Sequence, residues 1–222
     1  SKRTTQHHGR RNQTMGDLII KPASSGSLKI QDQAGTDKFV INNSGITSTL
    51  PSGMVLEQFL LPCTGQSITV QSGTYTSQNV TDYQTTGHSS WDDATGSTIT
   101  YTPPTGTQLV IYKYILQIGY SDSRIVLGLR FMLGGTEANK FRTNIDTENY
   151  YNNRNVFEFP LLIGGSADAT IGRQATWTSG VELKMQVKSD SGDDATLHQM
   201  DAYDDSGTDQ FVPPLIGITA IA

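Results

Sequence analysis

The stretch VELKMQVK (181–188) alternates without a break. Val181, Leu183, Met185 and Val187 fall on one side of an extended chain, and Glu182, Lys184, Gln186 and Lys188 on the other. RIVLGLRFML (124–133) follows the same rule with Ile125, Leu127, Leu129, Phe131 and Leu133. An apolar period of two makes no stripe on a helix, which needs a period near 3.6. No segment of the 222 residues carries that helical period convincingly, so the chain is expected to be all-β.

About ten such segments follow residue 52: MVLEQFLL, QSITVQS, SQNVTDY, STITYTP, LVIYKYILQIGY, RIVLGLRFML, NVFEFPLLI, VELKMQV, ATLHQMDAY and QFVPPLIGITAIA. Gly, Pro, Asp or Asn stands at most junctions, where turns need them. The segment from Leu109 to Tyr120 is apolar on one face and half-apolar on the other, which places it in the middle of a sheet. Number, alternation and length together predict a two-sheet β-sandwich head over 52–222, a jelly roll.

Residues 16–51 read differently. Leu18–Ile20, Leu28–Ile30 and Phe39–Ile41 are very short apolar segments between PASSGS, DQAGTD and NNSG. Strands of three or four residues build no independent core. They become stable if further copies of the chain supply the same strands around a shared axis, so 16–51 is expected to be an intersubunit β-stem and the protein a homotrimer. PPLIGITAIA at 213–222 suits two compatible readings, an ordinary interior strand and a strand packing near a threefold axis.

Residues 1–15 form a basic arm with Lys2, Arg3, Arg10 and Arg11 and no acid before Asp17. The rest of the chain holds 12 cations against 21 acids. Such a body repels nucleic acid and anionic membrane, so polyanion binding would have to reside in the arm. No apolar run approaches the ~18–20 residues of a membrane span, and residues 1–16 lack the apolar stretch of a secretion signal. The single cysteine, Cys63, allows no intrachain disulfide, as expected of assembly in a reducing host cytoplasm.

The chemistry-bearing residues form no strong constellation. His198 in ATLHQMDAY is expected to be structural, and Cys63 to behave as a small hydrophobe. Trp91 with Asp92 and Asp93 makes a candidate ligand-facing loop, the indole offering a stacking face to a sugar; a loop-anchoring Trp is the plainer expectation. SDSGDDAT and DAYDDSGTDQ supply many carboxylates, with Asp204, Asp205 and Asp209 the candidates for a bound calcium. The EF-hand spacing is absent, however, and Asp and Gly in loops ordinarily form turns. No cofactor is expected, and no catalytic residue.

GSLKIQDQAGTDKFVINNSGIT resembles the repeat-like stems of bacteriophage fibre and virion proteins. MVLEQFLLPCTGQSITVQSGTYT, TGSTITYTPPTGTQLVIYKY and DQFVPPLIGITAIA resemble the heads of virion structural proteins of marine tailed phages, which in turn resemble trimeric jelly rolls of the complement-C1q and tumour-necrosis-factor type. The resemblance covers about 16–222 and leaves the arm outside. It implies a non-enzymatic virion surface accessory, a head decoration, head fibre or short tail fibre. The arm would dock on a capsid or tail protein and the head would meet a host glycan or protein. The alternative is a jelly-roll coat protein whose basic arm binds the packaged genome. Four cations are few for that work, and 16–51 has no place in such a coat.

Overall fold

The structure is a computed structural model describing residues 26–31, 33–42, 45–46, 52–119, 124–147, 153–189, 194–201 and 209–222. The chain divides into two compact units between residues 50 and 51. Among the described residues of the first, Leu28–Gln31 pairs antiparallel with Asp37–Asn42, which pairs in turn with Gly45–Ile46. Gly35, at φ 79, makes the turn at a backbone angle that favours glycine. The register sets Leu28 opposite Ile41 and Ile30 opposite Phe39, so these four share one face of the hairpin. Ile30 is 57% exposed and Ile41 36%. The expected strand at Leu18–Ile20 and the arm residues Lys2, Arg3, Arg10 and Arg11 lie outside the described residues.

Eight strands frame the second unit: β1 Val55–Pro62, β2 Ile99–Tyr101, β3 Leu109–Ile118, β4 Ile125–Leu133, β5 Thr143–Thr147, β6 Asn153–Ile163, β7 Val181–Ser189 and β8 Leu215–Ile221. One sheet has the order β1-β8-β3-β6 and the other β2-β7-β4-β5. Every neighbour in these two orders is antiparallel. First and last strands adjacent, with every successive pair but β4–β5 crossing between sheets, is the connectivity of a jelly-roll β-sandwich. Short strands extend both sheets: Gln84–Thr86, Ala195–Leu197 and Arg173–Gln174 on the first, Asp92–Asp93 and Thr136–Glu137 on the second.

The alternating segments meet between the sheets. Val110, Tyr112, Tyr114, Leu116 and Ile118 of β3 are buried, as are Ile125, Leu127, Leu129, Phe131 and Leu133 of β4 and Leu183, Met185 and Val187 of β7. Phe131 bridges the layers, with ring centroids 5.1 Å from Tyr112 and 4.8 Å from Phe159. The buried tyrosines keep partners for their hydroxyls: Tyr112 donates to the Ser97 carbonyl at 2.5 Å and Tyr114 to the Thr95 carbonyl at 2.7 Å.

Four local features depart from the expectations. SQNVTDY forms no strand beyond a single bridge from Asn79 to Thr64, and pairing resumes at Gln84–Thr86. ATLHQMDAY breaks at His198, whose φ of 66 takes the chain out of the extended region. QFVPPLIGITAIA breaks at Pro213–Pro214, which have no N–H for a ladder. Thr143–Thr147, not anticipated, pairs along β4. Pro160, by contrast, sits inside β6 without disrupting it. The Ile163 N–H points to Gln108 on the β3 side and the Leu162 N–H to Gly172 on the other, so by parity the Pro160 nitrogen faces away from β3.

Candidate functional site

The outer face of the first sheet is ordered in four rows, read directly from the strand registers. Across β6, β3, β8 and β1 they run Leu162, Leu109, Ile221, Val55; then Pro160, Ile111, Thr219, Gln58; then Glu158, Lys113, Gly217, Leu60; then Val156, Ile115, Leu215, Pro62. The outward face of a sandwich sheet is ordinarily polar. Here the first and fourth rows are wholly apolar, the second mixes Pro160 and Ile111 with Thr219 and Gln58, and the third carries the Lys113–Glu158 ion pair at 2.5 Å, which is internally neutral. Val156 is 56% exposed, Val55 and Leu60 48% and Leu162 40%. At about 4.8 Å between strands and about 6.8 Å between rows, the face covers roughly 500 Å² in projection. The largest apolar patches on monomeric proteins reach a few hundred Å² and are often functional.

The opposite outer face holds the Trp91 region. Asp92–Asp93 is a short strand paired with Val187 and Gln186 of β7 rather than an open loop. Asp92 accepts from the Thr86 hydroxyl at 2.8 Å, and Asp93 binds Lys184 Nζ at 2.9 Å and Gln186 Nε2 at 2.6 Å. The bonds to Gln186 and Lys184, outweighing a desolvation cost, hold the Asp93 carboxyl below its ordinary range. Trp91 turns instead toward Gly128, where a methyl group would stand 3.3 Å from its Cη2. The guanidinium carbons of Arg130 and Arg142 lie 4.6 and 5.6 Å from the indole centroid. Glu137 clasps both arginines, and hydrogen bonding by Arg142 keeps its carboxyl low. Trp91 joins Arg142, Asn144 and Lys188 around a hollow of about 360 Å³ that neither Asp92 nor Asp93 lines.

The remaining candidates are built into the fold. Cys63 is fully buried, donates to the Gly96 carbonyl at 3.1 Å, and burial pushes its thiol up to about 12. His198 is buried with Nε2 at 2.9 Å from Thr95 Oγ1, while Nδ1 has no hydrogen-bond partner among the described residues. Asp209 opens the Asp209–Phe211 strand and accepts from the Gln199 amide. Asp204 and Asp205 lie outside the described residues, and among the described residues no three His, Cys, Asp or Glu side chains converge.

Glu57 escaped the sequence reading. It points inward from β1 between the sheets, 7% exposed, and accepts from the hydroxyls of Ser72 and Tyr101 at 2.6 Å each and from the Ser72 N–H at 2.9 Å. The available signal was one carboxylate inside the apolar run VLEQFLL.

No protein-family model and no curated protein matches the chain. Solved structures similar to it include those of infectious bursal disease virus Gx strain and Gt strain, each at a TM-score of 0.37 and 8% identity. They cover 81% and 82% of this chain, which spans only 40% and 41% of theirs.

Proposed function

We propose that the protein is a non-enzymatic structural component of a virus particle, a homotrimeric surface accessory. Three heads would pack through the outer face of the β1-β8-β3-β6 sheet. The observation that carries this reading is the outer face with two wholly apolar rows and four exposed aliphatic side chains. Left in water, Val156, Val55, Leu60 and Leu162 forgo burial worth about 25 cal/mol per Å² of apolar surface. Second copies of the same chain are the fitting occupants, because the face carries no net charge and offers an area on the order of the ~800 Å² that one partner gives to a standard interface. The exposed apolar face of the Leu28–Ile41 hairpin supports the same reading, since symmetry mates would cover it.

The buried polar side chains support a structural rather than a catalytic role. Glu57, Cys63 and His198 are enclosed in the head and engaged with neighbouring elements. The sequence resemblance to phage stems and heads favours a fibre or decoration protein, its basic arm seated in an acidic socket on a capsid or tail protein. On this reading the protein resides on the particle surface after assembly in the host cytoplasm.

The test is mass in solution. The full chain should sediment as a trimer, and the double variant Leu60→Lys, Val156→Lys as a folded monomer with unchanged circular dichroism. A wild-type monomer at micromolar concentration overturns the proposal, as does a trimer that survives both lysines. Deletion of residues 1–15 should leave the trimer intact and abolish its incorporation into particles.

A further inference from the structure

The hollow beside Trp91 belongs to the second sheet, on the opposite face of the sandwich from the proposed assembly surface, so it stands whether or not the heads trimerise. Its floor follows from one residue. Asn144 of β5, Gly128 of β4 and Lys188 of β7 lie directly across from one another in register. The central position has no side chain, so the layer of side chains on this face has a gap there. Trp91 leans over the gap from the edge, and the lined volume is about 360 Å³, in the range of small-molecule sites.

Its electrostatics are one-sided. Arg142 and Lys188 line the hollow and Arg130 lies over the Trp91 ring; Glu137 binds the two arginines, and Arg130 also attracts the Asp93 carboxylate. Lys188 has no ion-pair partner among the described residues; nearby, Arg124 pairs with Asp146, and Lys184 is shared by Asp93 and Glu182. An anion entering beside Lys188 and Arg142 therefore meets two cations and the Asn144 amide. The indole adds an apolar wall suited to the C–H groups of a sugar ring.

We propose that this hollow binds an acidic sugar residue, its carboxylate between Lys188 and Arg142 and its ring against Trp91. The host contact of the head would then run through an anionic glycan, recognised by a charge of the opposite sign to that of the Asp92–Asp93 pair.

The test is a titration of the full-length protein with sodium glucuronate, glucose and sodium sulfate at fixed ionic strength, following the indole N–H resonance of Trp91. Glucuronate should shift that resonance saturably at millimolar concentration, with glucose and sulfate at least tenfold weaker. Lys188→Ala should weaken glucuronate about tenfold, and Lys184→Ala should leave it unchanged. Equal binding of glucose overturns the role of the cations, and equal binding of sulfate reduces the site to an anion hole and overturns the sugar. No saturable shift in the wild-type protein, which requires no variant to fold, overturns the proposal outright.

Discussion

Tyr101 donates its phenolic hydrogen to the buried carboxylate of Glu57 across 2.6 Å, joining the second strand of the head to the first from within the core. Ser72 completes the arrangement with its hydroxyl and backbone N–H, and Tyr75 reaches the Ser72 hydroxyl at 2.8 Å. The hairpin Ser67–Val70 to Gly73–Thr76 is thereby fastened to the sandwich. Burial first, then the hydrogen bond and charge of Glu57, drive the Tyr101 hydroxyl far above its ordinary range, so it remains a donor at any physiological pH.

Glu57→Leu should destabilise the head by about 3 kcal/mol, because it orphans the Tyr101 and Ser72 donors in a buried setting. Tyr101→Phe should cost less, about 1–2 kcal/mol. Urea unfolding of both variants measures the difference, and a shift below about 0.5 kcal/mol for Glu57→Leu would show that water satisfies the site instead.

His198 gives a pH dependence of defined sign. Burial lowers its pKa from 6.5 to about 4, with a bond to Thr95 opposing. Above pH 6.5 the imidazole is neutral folded and unfolded, and its contribution to stability is complete. As pH falls from there toward 4, the unfolded chain takes up a proton that the folded chain refuses. Stability should drop by about 1.4 kcal/mol per pH unit over that window and level off beneath it. His198→Asn tolerates the left-handed φ and does not titrate, so the difference in stability between the two proteins should change with pH only in that window.

Cys63 should be silent toward thiol reagents at pH 8 in the folded protein. Burial has pushed its pKa to about 12, and the fully buried sulfur is bonded to the Gly96 carbonyl. Labelling by a disulfide reagent should follow global unfolding, with one equivalent released in denaturant. Rapid labelling under native conditions would contradict the buried placement.

Gly217 is confined by the neighbouring strand. A methyl group there would stand 2.7 Å from the Phe59 carbonyl oxygen and 2.9 Å from Leu60 Cδ1. Gly217→Ala should cost about 1–3 kcal/mol by forcing β8 and β1 apart, read as a lowered melting temperature.

Much of the sandwich was legible because its core strands obey the period of two. The inward sets of β4 and β7 are those the alternation names, Val181 alone remaining partly exposed. The doubly apolar Leu109–Ile118 is indeed the central strand. What alternation cannot convey is who pairs with whom, and the apolar outer face exists only because four particular strands are neighbours. The Trp91 hollow was hidden for the same reason. Asn144, Gly128 and Lys188 are far apart in sequence, and only the β5-β4-β7 register aligns them. Asp92 and Asp93 were read as loop carboxylates, whereas two residues of pairing with β7 give them structural partners. Glu57 followed no pattern at all, since its merit lies in the three donors that meet it.

The junction of Gly53 with Ala222 gives the head a mechanical direction. The Gly53 N–H reaches the Ala222 carbonyl at 2.7 Å, and the Ala222 N–H reaches Met54 at 2.9 Å, fastening the start of β1 beside the end of β8. A pull that separates these two points breaks the β1-β8 rungs one at a time, from Val55–Ile221 toward Leu215–Pro62. A pull from Gly53 against a load gripped at the far end of β8 strains all those rungs at once. The head thus peels from one pole at low force and resists shear along its strands.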